Sequence, residues 1–319
     1  MAEIRSRLAL LSQNLRYRAH VFPLPVKSLV SWAEGLGLAR GGKTILYTGH
    51  LYQLLPYLRV LREREQGFVR GRDWLSRLAP VLNPWINVSR LAILGREERR
   101  LQEYYTGVLR RVVKLLRKCG VEPGYLYEKE YYPGTLAYDL GLEGVFELQA
   151  RRVVRAFREA GVRTIITVDP HSTALLREVY PQLFPDWDFE VRSYLEILFQ
   201  ESRHLSLRGE EGVYLWHDSC VYVRYLRMVE EPREILKRAG MEIREPRFSR
   251  EITRCCGGPA ETLFPEKAGE LARARMEELS ALGPGTVITL CPICHFNLMA
   301  VSGPDQRVED FVRVLRLEE

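Results

Sequence analysis

TIITVDPHSTALL, beginning at Thr164, matches TVITLCPICHFNL, beginning at Thr286, through a β-branched run, a proline turn and the start of a helix. Further back, YYPGTLAYDLG stands where RCCGGPAETLF stands in the second copy, and ILYTGH stands where YLWHDSC does. The spacings agree: Gly134 to Asp169 is 35 positions, and Gly257 to Cys291 is 34. A strand–turn–helix pattern that recurs in this way restricts the chain to two similar α/β halves. The first copy carries extra length between His50 and Pro133, which predicts an insertion around 62–110.

The local signals fit that frame. Short β-rich runs are TILYT (44–48), TIITV (164–168), GVYLW (212–216) and TVITL (286–290), with MEIRE strand-like. VFELQARRVVRAFREAG (145–161) shows apolar residues at three- and four-residue steps and predicts a helix, as does EKAGELARARMEELSALG. SLVSWAEGLGLA predicts a further helix closed by RGG. Residues 1–42 read as a helical lead-in, 43–205 as the first half and 206–319 as the second.

The copies differ in chemistry. Five of the six cysteines lie between positions 220 and 294: Cys220, then 34 residues, Cys255-Cys256, then 34 residues, Cys291, two residues, Cys294. Each group follows a strand or sits in a glycine turn, where α/β folds gather functional side chains. Gly257 and Gly258 allow close backbone approach and offer N–H groups toward sulfur. CPIC sets two thiolates at a helix start, where the dipole favours anionic sulfur. Five thiolates exceed what one tetrahedral zinc uses and the four that an ordinary cubane cluster takes. His217 and Asp218, just before Cys220, and His295, just after Cys294, are candidates for moving protons or donating hydrogen bonds at the site. Cys119 falls outside the pattern and reads as a free thiol, and the five tryptophans read as core or interface.

Composition excludes several classes. The chain is 46% hydrophobic and 28% charged, has no apolar run long enough to span a bilayer, and opens on an arginine-interrupted stretch, so a cytoplasmic location is expected. The net charge of +6 comes from arginines scattered beside glutamates, as in REERRLQEYY and ELARARMEEL. That pattern reads as solvated helix faces, not a nucleic-acid footprint. There is no dinucleotide-type glycine fingerprint and no ferredoxin cysteine run.

Cys220, Cys255-Cys256-Gly257 and Cys291-Pro292-Ile293-Cys294 together resemble the cysteine-rich CCG domain of the heterodisulfide reductase family. The resemblance, carried back by the repeat over residues 43–319, implies an α/β fold of two pseudo-duplicated halves, each with a small, mostly parallel sheet flanked by helices. It implies that all five cysteines ligate an iron–sulfur cluster of the noncubane [4Fe–4S] type, at which a disulfide or related sulfur compound is reduced. It also implies a ferredoxin-type iron–sulfur partner, a possible flavin subunit, and an anaerobic oxidoreductase complex that the chain joins in the cytoplasm or at the periphery of a membrane.

The first half departs from the family pattern. His50 stands for the first cysteine, Tyr131-Tyr132-Pro133 surround the Cys-Cys position, and Asp169 and Ser172 replace the CxxC pair. One cluster per chain is therefore expected, with chemistry confined to the second half and the gap it shares with the first. Three alternatives stay open: a relay that passes electrons without catalysis, a zinc or thiol protein without iron, and a different metal held by His50, Asp169 and His171.

Overall fold

The computed structural model describes residues 2–22, 24–68, 79–85 and 99–317. Two four-stranded parallel sheets carry it. The first contains β1 (Thr44–Tyr47), β2 (Gly124–Tyr125), β3 (Thr164–Thr167) and β4 (Glu190–Ser193), in spatial order β2-β1-β3-β4. A short β5 (Leu207–Gly209) then leads into the second sheet, β6 (Val213–His217), β7 (Glu242–Arg244), β8 (Thr286–Thr289) and β9 (Val308–Asp310), in order β7-β6-β8-β9. Position for position the two orders are the same, so the duplication read in the sequence is a duplication of topology. A last strand, β10 (Leu315–Leu317), returns antiparallel to β5.

The central strands form because both of their faces are covered. Ile45, Leu46, Ile165, Leu215, Val287 and Ile288 are buried, as the near-continuous apolar runs of parallel strands require. The helices used below are α1 (Ala2–Arg18), α2 (Leu51–Phe68), α3 (Arg99–Lys118), α4 (Glu143–Glu159), α5 (Pro170–Ala174), α6 (Cys220–Arg224), α7 (Glu231–Arg238), α8 (Pro265–Ser280) and α9 (Pro292–Met299). The predicted insertion at 62–110 lies partly outside the described residues; the end of α2 and the start of α3 fall within it. The helix expected at SLVSWAEGLGLA is shorter than its sequence suggests: it runs Val26–Val30, tightens into a 3₁₀ turn at Ser31–Ala33, and gives way before Gly35.

Strand register fixes which residues correspond. Tyr47 lies opposite Thr167 on β3, and His217 lies opposite Thr289 on β8. Matching Thr164 to Thr286, as the repeat demands, pairs Tyr47 with His217, Thr48 with Asp218 and His50 with Cys220. In each sheet the chain leaves the two central strands in opposite directions. The crevice beyond their carboxyl ends is where α/β sheets bind ligands.

The halves interlock through side chains from α2 and α3. Tyr52 Oη donates to Asp310 Oδ2 at 2.8 Å, and Tyr104 Oη donates to Glu309 Oε2 at 2.8 Å. The backbone N–H of Asp310 donates to Tyr104 Oη at 2.8 Å. Among the tryptophans, Trp32 and Trp216 are core, whereas Trp85 is 88% exposed and is not core.

Candidate metal centre

Three segments of the second half bring five thiols together. Cys220 opens α6 directly after β6, and Cys255 and Cys256 lie in the loop before α8. Cys291 takes the N-cap position of α9, with Cys294 one turn on. The thiols form a continuous chain. Cys220 contacts Cys255, which contacts Cys256; Cys256 Sγ lies 3.3 Å from Cys294 Sγ; and Cys294 contacts Cys291. Cys256, Cys291 and Cys294 are buried, while Cys220 and Cys255 are partly open and form the edge nearest solvent. The backbone N–H of Gly257 donates to Cys255 Sγ at 3.3 Å.

The glycines themselves answer to packing. Gly257 has φ +92°, and a Cβ there would stand 2.4 Å from the carbonyl oxygen of Ala268 on α8. A Cβ on Gly258 would stand 2.1 Å from Ile293 Cγ2 on α9. The Cys-Cys loop is thus pressed between two helices, and this pressure brings Cys256 to Cys294.

Asp218 anchors that loop. Its Oδ1 accepts from Trp216 Nε1 at 2.8 Å, and its Oδ2 accepts from Arg233 Nη2 at 2.9 Å and from the Arg250 backbone N–H at 2.6 Å. Burial pushes its pKa up, but Arg233, Trp216 and the Arg250 N–H more than offset this, leaving it below the usual carboxylate range. Asp218 thereby ties the end of β6 to the segment that carries Cys255, as a charged acceptor with its donors in place.

His217 lies at the thiols: a ring nitrogen of His217, Cys256 Sγ and Cys294 Sγ all fall within 4.8 Å of one another. Its Nδ1 accepts from Arg275 Nε at 3.0 Å, and its Nε2 is buried with no hydrogen-bond partner among the described residues. Arg275 is fully buried, in the ELARARMEEL stretch whose charges read as a solvated face. Burial and the Arg275 charge lower the His217 pKa to about 3. His295 turns to the other half: its Nδ1 lies 3.0 Å from Tyr105 Oη and its ring stacks on Tyr104 at 4.7 Å. Cys119 packs half-buried against the main core, and burial pushes its thiol to about 11.

The first half has filled the corresponding place with carboxylates and hydroxyls. Glu130 accepts from Gly49 N at 3.1 Å, Thr48 Oγ1 at 2.9 Å and Tyr125 Oη at 2.6 Å, and its Oε2 lies 3.2 Å from His50 Nε2. Asp169 caps α5 by accepting from Ser172 N at 2.9 Å, so it holds in α5 the position that Cys291 holds in α9. His171 leaves this group and hydrogen-bonds Cys291 across the gap between the halves. Burial opposes its charge, but Cys291 and the carboxylates of Asp169 and Asp139 raise its pKa to about 9. His50, Asp169 and His171 therefore engage three different partners. Among the described residues, the one cluster of three metal-competent side chains is His217, Cys256 and Cys294.

The donor set suits a thiolate-ligated group that carries positive charge. Five close thiols cannot all ionise unaided: Cys220 is pushed up beside Cys255, Cys256 between Cys255 and Cys294, and Cys294 between Cys256 and Cys291, while Cys255 and Cys291 are pulled down. Iron would remove that conflict by taking the thiols as thiolates. Sequence reasoning missed Arg275, Arg233 and Glu130, because each acts through a partner distant in the chain.

Comparison with known proteins agrees with the duplication. A family model described as a cysteine-rich domain, CCG, matches the chain twice, at residues 96–177 and 214–299. The chain is 32% identical over 202 residues to the EtfAB:quinone oxidoreductase of Syntrophomonas wolfei, covering 60% of this chain and 28% of that protein. It is 32% identical over 212 residues to the probable iron-sulfur-binding oxidoreductase FadF of Bacillus subtilis, covering 65% and 30%. It is 25% identical over 209 residues to one component polypeptide of the dihydromethanophenazine:CoB–CoM heterodisulfide reductase of Methanosarcina mazei, covering 62% and 51%. The chain thus spans between about a quarter and a half of the length of these relatives. Among the described residues, no helix is long and apolar enough to cross a membrane.

Proposed function

The chain belongs to the cysteine-rich CCG domain family, and from that premise we propose that it is the iron–sulfur redox subunit of a heterodisulfide-reductase-like complex. Cys220, Cys255, Cys256, Cys291 and Cys294 would hold a noncubane [4Fe–4S]-type cluster, whose chemistry is one-electron storage beside a site for sulfur. The observation that carries the reading is the unbroken chain of five thiols at the carboxyl ends of β6 and β8. Electrons would arrive from a ferredoxin-type iron–sulfur partner, with a flavin subunit in the same complex, and leave to a disulfide or related sulfur compound. The partly open edge at Cys220 and Cys255 is the face a substrate or partner would meet. Asp218 and the two glycines keep the loop in place, and the Gly257 N–H stabilises negative charge on Cys255 sulfur.

A second reading, relay without catalysis, draws support from the relatives. Those at 32% identity are named as a quinone oxidoreductase and an iron-sulfur-binding oxidoreductase, whereas the heterodisulfide reductase component stands at 25%. Anaerobic purification with iron, acid-labile sulfide and EPR analysis tests the shared premise. Cys255→Ser and Cys256→Ser should lose or alter the cluster and Cys119→Ser should not; a colourless zinc protein, or equal effects of all three, overturns it. Disulfide turnover with an artificial electron donor then separates the readings, since a relay gives none.

A further inference from the structure

We propose that Arg275 fixes His217 in the tautomer that carries its proton on Nε2, so that His217 serves the metal centre as a hydrogen-bond donor and not as a ligand. This rests on the iron–sulfur reading for the identity of the acceptor, but the tautomer itself follows from this chain's own contacts.

A guanidinium has donors only. Arg275 Nε donates to His217 Nδ1 at 3.0 Å, so Nδ1 must present its lone pair, and the single proton of the neutral ring sits on Nε2. Arg275 has no freedom to withdraw. Its Nη1 donates to the Phe248 carbonyl and to Glu278 Oε2, each at 2.8 Å, and its Nη2 donates to Thr253 Oγ1 at 3.3 Å. Two of these acceptors lie in the loop that leads to Cys255, so one arginine sets both the thiol-bearing segment and the histidine facing it.

A nitrogen that carries a proton has no lone pair for iron. The grouping of His217 with Cys256 and Cys294, which by distance alone suits a mixed nitrogen–sulfur metal site, is therefore a donor beside two cysteine sulfurs. His217 Nε2 is buried and has no hydrogen-bond partner among the described residues. A buried N–H without an acceptor is costly, and thiolate or sulfide sulfur is the acceptor that the neighbouring cysteines would bring. Hydrogen bonds to cluster sulfur stabilise the more negative, reduced state and raise the reduction potential.

The test has two independent arms. In the metal-free or zinc-substituted protein, ¹⁵N NMR of the histidine rings should show His217 Nδ1 unprotonated and Nε2 protonated; the reverse pattern overturns the proposal even if no iron ever binds. In the anaerobically purified holoprotein, EPR-monitored redox titration should give His217→Leu a more negative potential than wild type. His217→Gln, whose amide still donates, should keep most of the wild-type value. Equal potentials for wild type and His217→Leu overturn the donor role, as does a strong ¹⁴N coupling from a directly bound imidazole. Arg275→Lys should hold the tautomer better than Arg275→Met in the same spectra; if both match wild type, Arg275 does not set it.

Discussion

His50 Nε2 lies 3.2 Å from Glu130 Oε2, and neither side chain reaches solvent. The strand register places His50 where the second half has Cys220, so this contact occupies the ground on which the other half gathers its thiols. The two halves tie the same two segments together with a carboxylate, in opposite senses. In the second, Asp218 at the strand end accepts from the Arg250 N–H in the facing loop. In the first, Glu130 in the facing loop accepts from the Gly49 N–H at the strand end.

Glu130 should therefore be a stability residue. Glu130→Ala leaves Thr48, Gly49 and Tyr125 donors buried without an acceptor, and should cost about 3–5 kcal/mol in urea denaturation. A loss under about 1 kcal/mol would contradict this assignment. The pH dependence carries a sign. Burial raises the Glu130 pKa, but His50, Tyr125 and the Thr48 N–H outweigh it and leave the carboxylate below its ordinary range. A depressed folded pKa means stability that is present above the unfolded value of about 4.3 and lost as pH falls through the folded one. The gap between wild type and Glu130→Ala should hold constant above about pH 5 and shrink in stronger acid.

Asp218 makes a different prediction, because its donors span the loop that carries Cys255. Asp218→Asn removes the charge that Arg233 and the Arg250 N–H engage, and should cost about 3 kcal/mol. Amide hydrogen exchange should quicken at 250–256 more than in the β6–β8 core. Unchanged exchange in that loop would show that Glu245, the other carboxylate on Arg233 at 2.6 Å, suffices alone.

The sequence exposes the central strands and the thiols but conceals what fixes them. β1, β3, β6 and β8 are legible because burial on both faces demands near-continuous apolar runs rich in β-branched and aromatic residues, and the repeat shows each run twice. β2, β4 and β9 are two to four residues long and exist only by pairing with strands far away in the chain. Periodicity therefore carries no trace of them. Arg275 is hidden for a related reason: within ELARARMEEL it sits between Arg273, which faces solvent, and Glu278, which it grips, and composition reads all three alike. The candidate histidines look equivalent in sequence, each within three residues of a cysteine, yet His217 faces the thiols and His295 stacks on Tyr104.

The two glycines should differ on substitution. At Gly257 the clash of a Cβ is with the backbone of α8 and the φ of +92° is strained for any L side chain, so Gly257→Ala should lose both iron and stability. At Gly258 the nearest clash is the Ile293 side chain, which can be shortened. Gly258→Ala should destabilise alone and recover in part with Ile293→Ala, which removes Cγ2, but not with Ile293→Val, which keeps it, read by thermal melting and iron content. Equal rescue of Gly257→Ala by Ile293→Ala would show that α8 yields as readily as a side chain.

The correspondence between Asp169 and Cys291 allows the fold to be separated from the metal. Both stand at the N-cap of a helix that begins with proline, Asp169 with φ −136° and Cys291 with φ −125°. Asp169 accepts the Ser172 N–H, and an aspartate at 291 should accept the Cys294 N–H in the same way. It would also keep a negative group beside His171, which hydrogen-bonds Cys291 in the wild type. Cys291 itself makes no side-chain cap bond, so Cys291→Asp should leave the metal-free protein within about 1 kcal/mol of wild type or above it, and about 1 kcal/mol more stable than Cys291→Ala, which has no acceptor for the Cys294 N–H. Both should fail to hold a full complement of iron and sulfide, because a thiolate in the chain of five is gone. If Cys291→Asp binds iron and gives the wild-type EPR spectrum, Cys291 is not a ligand and the ligand set is four. If it unfolds the metal-free protein, the two halves do not share the capping geometry that their register implies.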